Sequence, residues 1–191
     1  ERINYMRYLA HFRSVHRGAF FTTMKTTAVR KLLPESWGFM CPVHTPDGGL
    51  CGLLTHLARM CKVVCCTERG AQESIEILSA NGMVPFYINN GCPCVIDGEI
   101  VGYVSENLSE YCVSELKKAR TSGVIAETTE IVSLPAKFGF TRSIYVFTNQ
   151  QRMMRPVMNN KTQTLEYIGP LEQIFMLIGA LPTDTDPNRW P

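Results

Sequence analysis

Apolar residues recur at three- and four-residue spacing near the start of the chain, where Tyr5, Met6, Leu9, Ala10 and Phe12 predict a short helix over residues 3–13. Residues 16–29 lose that period. They mix Gly, Phe and Thr with bases and read as a loop or an irregular hairpin. Between residues 34 and 52, three Pro and four Gly fall within nineteen positions, which excludes a regular helix or a central strand. Trp37, Phe39 and Met40 stand in that stretch and ask for burial, so it is expected to be ordered though irregular. Residues 53–58 then read as a short helix and residues 61–67 as a strand.

The composition shifts near residue 68. Residues 74–80 predict an amphipathic helix ending at Asn81-Gly82. Two β-rich runs, 93–96 and 99–104, flank Asp97-Gly98 and predict a hairpin. Residues 109–120 carry Tyr111, Cys112, Leu116 and Ala119 at helical spacing, opened by Asn107 or Ser109 as a cap and closed before Gly123. Residues 130–134 and 143–148 read as strands joined by a loop with Pro135 and Gly139. After a turn at Asn149-Gln150, residues 152–157 return as a strand, and Pro156 within it suggests a sheet edge. Residues 169–179 predict a last helix, and residues 181–191 a loose tail. No internal repeat is present. The expected class is α+β: an irregular, turn-rich module over residues 1–67, then a small mixed sheet with one or two packed helices over residues 68–180.

The 191 residues suit one domain or two small ones, and 45% hydrophobic with 19% charged residues excludes wholesale disorder. Apolar stretches such as residues 175–181 are too short to span a bilayer, so no membrane role is expected. The first residues lack the apolar core of a signal peptide, and a chain opening on Glu1 in patterned sequence is expected to be a piece of something longer. Net charge is only +2, but its distribution is uneven. Residues 1–31 hold seven bases (Arg2, Arg7, Arg13, Arg17, Lys25, Arg30, Lys31) and one acid, Glu1, whereas the remainder is mildly acidic. That asymmetry suggests that the first part alone meets a polyanion; a merely solvated basic face is the alternative.

Eight cysteines stand at 41, 51, 61, 65, 66, 92, 94 and 112, without the paired CxxC knuckles of a zinc site. Cys61, Cys65 and Cys66 fall in an apolar run and are expected to act as small buried hydrophobes with free thiols, zinc and disulfides being the weaker readings. Phosphate-binding signatures of the GxxxxGK[ST] and GxGxxG kinds are absent. Cys41 or Cys51 with His44 or His56 would be the raw material of a nucleophilic dyad, but nothing resembles a nucleophile elbow. The carboxylates Asp97/Glu99 and Glu127/Glu130 read as surface charge.

More informative is the stretch in which Arg13, Arg17, Lys25, Arg30 and Lys31 flank Phe20-Phe21 and the hydroxyls of Thr22, Thr23, Thr26 and Thr27. Bases neutralise phosphates and position a nucleic-acid backbone, and hydroxyls add neutral hydrogen bonds. The two phenylalanines alternatively anchor the loop in a core. Pro46 fixes φ and Gly48 accepts a positive φ, so Asp47 between them is expected at a rigid tip.

Residues 30–53 closely resemble the fork region of second-largest subunits of multisubunit DNA-directed RNA polymerases, through Trp37-Gly38, Cys41-Pro42, Thr45-Pro46-Asp47-Gly48 and Cys51-Gly52-Leu53. His44 and Asp47, where the family usually has an acid and Glu, and the run from Arg30 through Trp37-Gly38, are similar to the RNA polymerase I branch. The resemblance continues through Cys94-Val-Ile-Asp-Gly-Glu-Ile-Val-Gly and Ile144-Tyr-Val-Phe-Thr-Asn to Arg152 and Arg155-Pro156, and covers residues 3–178. It implies a fork module over residues 1–67 lining the nucleic-acid cleft and an external α/β domain over residues 68–180. It also implies a nucleotidyltransferase that makes ribosomal RNA in the nucleus and nucleolus. Its partners would be the largest subunit, other polymerase subunits, template DNA and nascent RNA. Magnesium would belong to the assembled polymerase, held mainly by the largest subunit and not by this chain, which alone is expected to be inactive. Residues 11–27 would lie over the downstream edge of the hybrid, Arg30 near template or nucleotide phosphates, and His44, Thr45 and Asp47 close to the active site, with Asp47 organising basic neighbours. The alternatives are a free-standing, non-catalytic nucleic-acid-binding or assembly module and, more weakly, a thiol or zinc protein.

Overall fold

In the computed structural model, which describes residues 2–66, 70–137 and 139–185, the chain divides into two units, Glu1–Lys62 and Val63–Pro191. The class is α+β.

The first unit opens with α1 (Tyr5–Phe12), capped by Asn4, whose Oδ1 accepts the Arg7 N–H at 2.7 Å. No residue of α1 is buried. Next, β1 (Ser14–His16) pairs antiparallel with β2 (Leu54–His56), setting Val15 opposite Thr55. The helix expected at residues 53–58 is therefore a strand. A six-residue helix gains little from propagation to offset its nucleation cost, and β1 supplies a ladder that the Arg17 N–H extends to Leu53 O and the Leu57 N–H to Arg13 O, both at 2.9 Å. Between these strands the chain runs through single 3-10 turns at Ala19–Thr22, Ala28–Arg30, Pro34–Ser36 and Gly48–Leu50. Phe39, Leu53 and Cys61 are buried, as Phe39 was expected to be, but Trp37 is 54% exposed. The Phe39 and Met40 amides both fold back onto Ser36 O, which turns Phe39 inward and leaves Trp37 on the outer side of the bend.

Strand β3 (Lys62–Val63), at the boundary between the two units, begins a small sheet, and in the second unit α2 (Ala71–Ala80) ends at Asn81 as predicted. The hairpin of β4 (Gly91–Ile96) and β5 (Glu99–Ser105) turns at Asp97-Gly98, both with positive φ as a two-residue hairpin turn requires. The Asp97 carboxylate accepts the Thr148 N–H at 2.7 Å and the Thr148 hydroxyl at 2.5 Å. Helix α3 (Ser109–Ser122) follows a 3-10 turn; Leu108 stands at its N-cap with no side-chain cap, and Ser109 Oγ instead donates to Glu106 O. Strands β6 (Glu130–Leu134) and β7 (Ser143–Phe147) complete a four-stranded sheet ordered β5-β4-β7-β6, in which only β4 and β7 run parallel. Leu78 of α2 and Cys112 and Leu116 of α3 pack with Cys94, Ile96, Val104, Ile144 and Val146 of that sheet.

Strands β8 (Met153–Asn159) and β9 (Thr164–Ile168) join β3 in the order β3-β8-β9. Pro156 is thus on the middle strand, not at an edge by strand order. The Val64 N–H reaches Arg152 O and the Gln151 N–H reaches Val64 O, so the short first strand touches one end of β8. The helix expected over residues 169–179 is only α4 (Pro170–Ile174), because the Phe175 and Met176 amides already bond three residues back. A 3-10 turn spans Pro182–Thr185; residues 186–191 of the expected tail, and Thr67 of the expected strand 61–67, lie outside the described residues.

All eight cysteines are free thiols. Cys61, Cys92, Cys94 and Cys112 are buried, while Cys65 and Cys66 are exposed, because the strand that was to bury them stops at Val63. Burial pushes the Cys92 thiol up to about 11 and that of Cys94 to about 12, far from a reactive thiolate. No helix among the described residues is long and apolar enough to cross a membrane.

Candidate nucleic-acid interface

The five candidate bases of the first unit do not behave alike. Arg13 is half-buried, and its Nη2 donates to Ala58 O at 2.5 Å and Cys61 O at 3.1 Å, tying the end of α1 to the chain beyond β2. Arg30 Nη1 donates to Gly49 O at 2.8 Å and Cys51 O at 2.9 Å, so it fastens the Gly48–Leu50 turn. Gly52 is what lets this happen: its φ is +75°, and a Cβ there would overlap the backbone of Arg30. Arg17 is exposed; Nη1 donates to Val29 O at 2.9 Å while the guanidinium lies over the Phe21 ring at 5.1 Å. Lys25 and Lys31 are exposed and make no hydrogen bond or ion pair among the described residues. Three guanidinium groups thus brace the frame, and two ammonium groups stand free.

Hydroxyls divide the same way. Thr22 donates to Ala19 O at 2.6 Å and Thr23 to Phe20 O at 2.8 Å, holding the turn that carries the phenylalanines. Thr26 accepts the Ala28 N–H at 3.3 Å. Of the two phenylalanines, Phe21 is half-buried and Phe20 is 72% exposed. Only one of them anchors the loop.

The Thr45-Pro46-Asp47-Gly48 turn is built from the inside. Thr45 Oγ1 donates to Leu54 O at 2.8 Å and accepts the Gly52 N–H at 2.9 Å, clasping the turn to β2. The His44 imidazole stacks on His56 with centroids 3.5 Å apart and planes within 2°, and His56 Nδ1 lies 3.2 Å from His44 O. Burial lowers the His44 pKa, with smaller contributions in the same direction from His56 and Arg7. Asp47 is exposed at the tip with no hydrogen bond or ion pair among the described residues. Beside this turn, a cavity of about 330 Å³ has an apolar wall that includes Leu32, Leu33, Met40 and Val43, with Arg17, Arg30 and Lys31 also lining it.

The structure therefore brings Arg17, Arg30, Lys31 and Thr45 around one cavity, where Arg13, Lys25, His44 and Asp47 take no part. The histidine stack and the Arg17–Phe21 pairing went unforeseen; a Cys-x2-His followed by a second histidine twelve residues on was the only trace of the former. Among the described residues no group of three or more His, Cys, Asp or Glu is arranged to hold a metal ion.

The second unit uses its charge differently. Arg120 is buried and donates to Glu172 at 2.8 and 3.1 Å, to Glu166 at 3.0 Å and to Thr129 O at 3.1 Å. Burial works against its charge, but Glu172 and Glu166 outweigh it and raise its pKa. Glu130, read from sequence as surface charge, is 4% exposed and accepts the Leu171 and Glu172 amides at 2.9 Å. Burial lifts its pKa.

Two family models match this chain: "RNA polymerase Rpb2, domain 3" over residues 1–63 and "RNA polymerase I, Rpa2 specific domain" over residues 101–155. The chain is 40% identical to the probable DNA-directed RNA polymerase I subunit RPA2 of Schizosaccharomyces pombe, over 98% of its own length and 18% of that protein. It is 43% identical to subunit RPA2 of Drosophila melanogaster over 93% of its length, and 42% identical to that of Homo sapiens over 92%, in each case 16% of the relative. The chain thus spans less than a fifth of the length of the curated relatives it matches.

Proposed function

We propose that this chain, which belongs to the family of RNA polymerase I second-largest subunits, is a part of that subunit which positions the DNA–RNA hybrid and downstream DNA beside the catalytic centre. The observation that carries the reading is the extent of the similarity: at least 40% identity over more than nine-tenths of the chain, to subunits of one polymerase class. In this reading the chain works inside a nuclear, nucleolar DNA-directed RNA polymerase that makes ribosomal RNA, with the largest subunit and the remaining subunits as partners. The magnesium ions that clamp attacking and leaving oxygens belong to another polypeptide. What this chain supplies is a braced, basic surface. Lys25, Lys31 and Arg17 meet backbone phosphates. Arg13 and Arg30 lend charge while holding carbonyls of their own chain, and His44, Thr45 and Asp47 shape the turn nearest the nucleotide. The second unit serves as an external structural layer and partner surface.

The test is a polymerase assembled with Lys25→Ala/Lys31→Ala in this subunit. Losing two phosphate contacts lowers the slope of log affinity against log salt by about 1.5–2 for a hybrid scaffold. An unchanged slope with unchanged nucleotide addition overturns the assignment of this surface.

A further inference from the structure

Phe20 sits 72% exposed in a stretch that holds no Asp or Glu between Glu1 and Glu35. Its ring meets Phe21 edge-on, centroids 5.8 Å apart at 77°. Phe21 in turn carries the Arg17 guanidinium at 5.1 Å, and Arg17 is held by Val29 O. Cation, ring and ring thus form a short ladder, fastened at Arg17 and open at Phe20. The backbone beneath is fixed as well, by the Phe21 N–H to Gly18 O and the Thr23 N–H to Phe20 O, both at 3.2 Å, and by the Thr22 and Thr23 hydroxyls. A phenyl ring held outward on a braced turn leaves apolar surface in water unless a ligand covers it.

The charges around it select the ligand. Arg17 and Lys25 are exposed within a few residues of Phe20, and Lys31 follows. A hydrophobic protein face would cover the ring but leave these cations against apolar surface. An acidic peptide would answer the cations but has no need of a flat ring. Single-stranded nucleic acid alternates flat bases with phosphates and answers both. Resting on the reading of the chain given above, we propose that Phe20 is a stacking platform for an unpaired DNA base at the strand-separation edge, with Arg17 and Lys25 on the flanking phosphates.

The experiment uses the polymerase assembled with this subunit, bound to a scaffold carrying 2-aminopurine at the unpaired positions next to the downstream duplex, one strand at a time. Stacking on Phe20 quenches the probe, so Phe20→Ala raises its fluorescence about threefold, Phe20→Trp keeps the quench, and Phe20→Leu, apolar but without a π face, behaves like alanine. Quenching unchanged in Phe20→Ala, or restored by Phe20→Leu, overturns the proposal: the latter outcome means that the ring packs against protein. The lysine double variant separates the two levels of inference. If it flattens the salt dependence while Phe20→Ala leaves the probe unmoved, the DNA-facing reading survives and the stacking role fails; if neither variant has an effect, both fail.

Discussion

The two units are held together by different physics. Among the described residues the first buries three apolar side chains, Phe39, Leu53 and Cys61, whereas the second buries nineteen. In place of a core, the first unit uses arginines as cross-links: Arg13, Arg17 and Arg30 each donate to backbone carbonyls far along the chain. The second unit has a conventional packed core and places a cluster of charges inside, with Arg120 between Glu166 and Glu172. In the proposed reading, a unit that meets a polyanion cannot pair its arginines with acids without cancelling its field, and carbonyls brace them while preserving their charge. A unit without that role has no such restriction. The same residue type is a tie in one unit and a buried ion in the other.

The largest expected effect tests the buried ion. Arg120→Ala leaves the Glu172 carboxylate to Lys117, 3.3 Å away, and the Glu166 carboxylate to the Asn159 side-chain amide at 2.7 Å. Removing the central cation costs about 3–5 kcal/mol, read as lost hydrogen-exchange protection in α3, β6 and β9. The first unit's amides keep theirs. Exchange that rises equally in both units would mean that the two are not held together differently. Replacing the whole set, Arg120→Met with Glu166→Gln and Glu172→Gln, recovers most of the loss.

Next in size is the carbonyl-braced turn. Gly52→Ala combines a φ of +75° with overlap against Arg30 and costs about 3 kcal/mol in the first unit. Gly48→Ala, at φ +78° but with no atom within 4 Å of its added carbon, carries the conformational cost alone, about 1–2 kcal/mol. Denaturation of the pair measures how much the close approach of Arg30 is worth. Equal losses would show that Arg30 does not brace the turn.

Legibility from sequence followed the same division. In the second unit, periodicity was strong and most of its predictions stood: α2, the hairpin at Asp97-Gly98, α3 and strands β6 and β7 lie within a residue or three of their expected bounds, whereas the helix expected over residues 169–179 stops at Ile174 and Pro156 falls on a middle strand. Strand β9 was missed although Thr164-Leu-Glu-Tyr-Ile alternates, because the turn before it, Asn160 to Gln163, carries no Gly or Pro. The first unit announced only that it was irregular. At residues 53–58 an apolar run too short to show a period took its structure from a partner strand forty residues away. The candidate bases were visible as charges, but which were free was not, since that depends on carbonyls as many as 48 residues distant. Arg120 left one readable trace: it lies four and eight residues beyond Leu116 and Cys112, on the buried stripe of α3.

The smallest effect is the most discriminating, because its sign differs between the units. His44 has its pKa lowered below 6.5, by burial first and then by His56 and Arg7. Its contribution is complete above the unfolded value and is lost as pH falls through the folded one, so acid loosens the Thr45–Asp47 turn. Glu130 has its pKa raised above 4.5, by burial first and also by Glu172, against the two amides it accepts and Arg152. Its contribution is complete below the unfolded value and is lost as pH rises through the folded one, so neutral pH weakens the start of α4. As pH falls from 7 to just above 4.5, protection of the Gly52 amide, measured relative to its intrinsic exchange rate, should therefore fall while that of the Leu171 amide rises. Glu130→Gln keeps a carbonyl oxygen for both amides and should abolish the second trend, at a stability change below about 1 kcal/mol; His44→Gln should abolish the first. Parallel trends in the two amides would mean that one global equilibrium governs both units, and that the carbonyl-braced surface does not open independently of the packed domain.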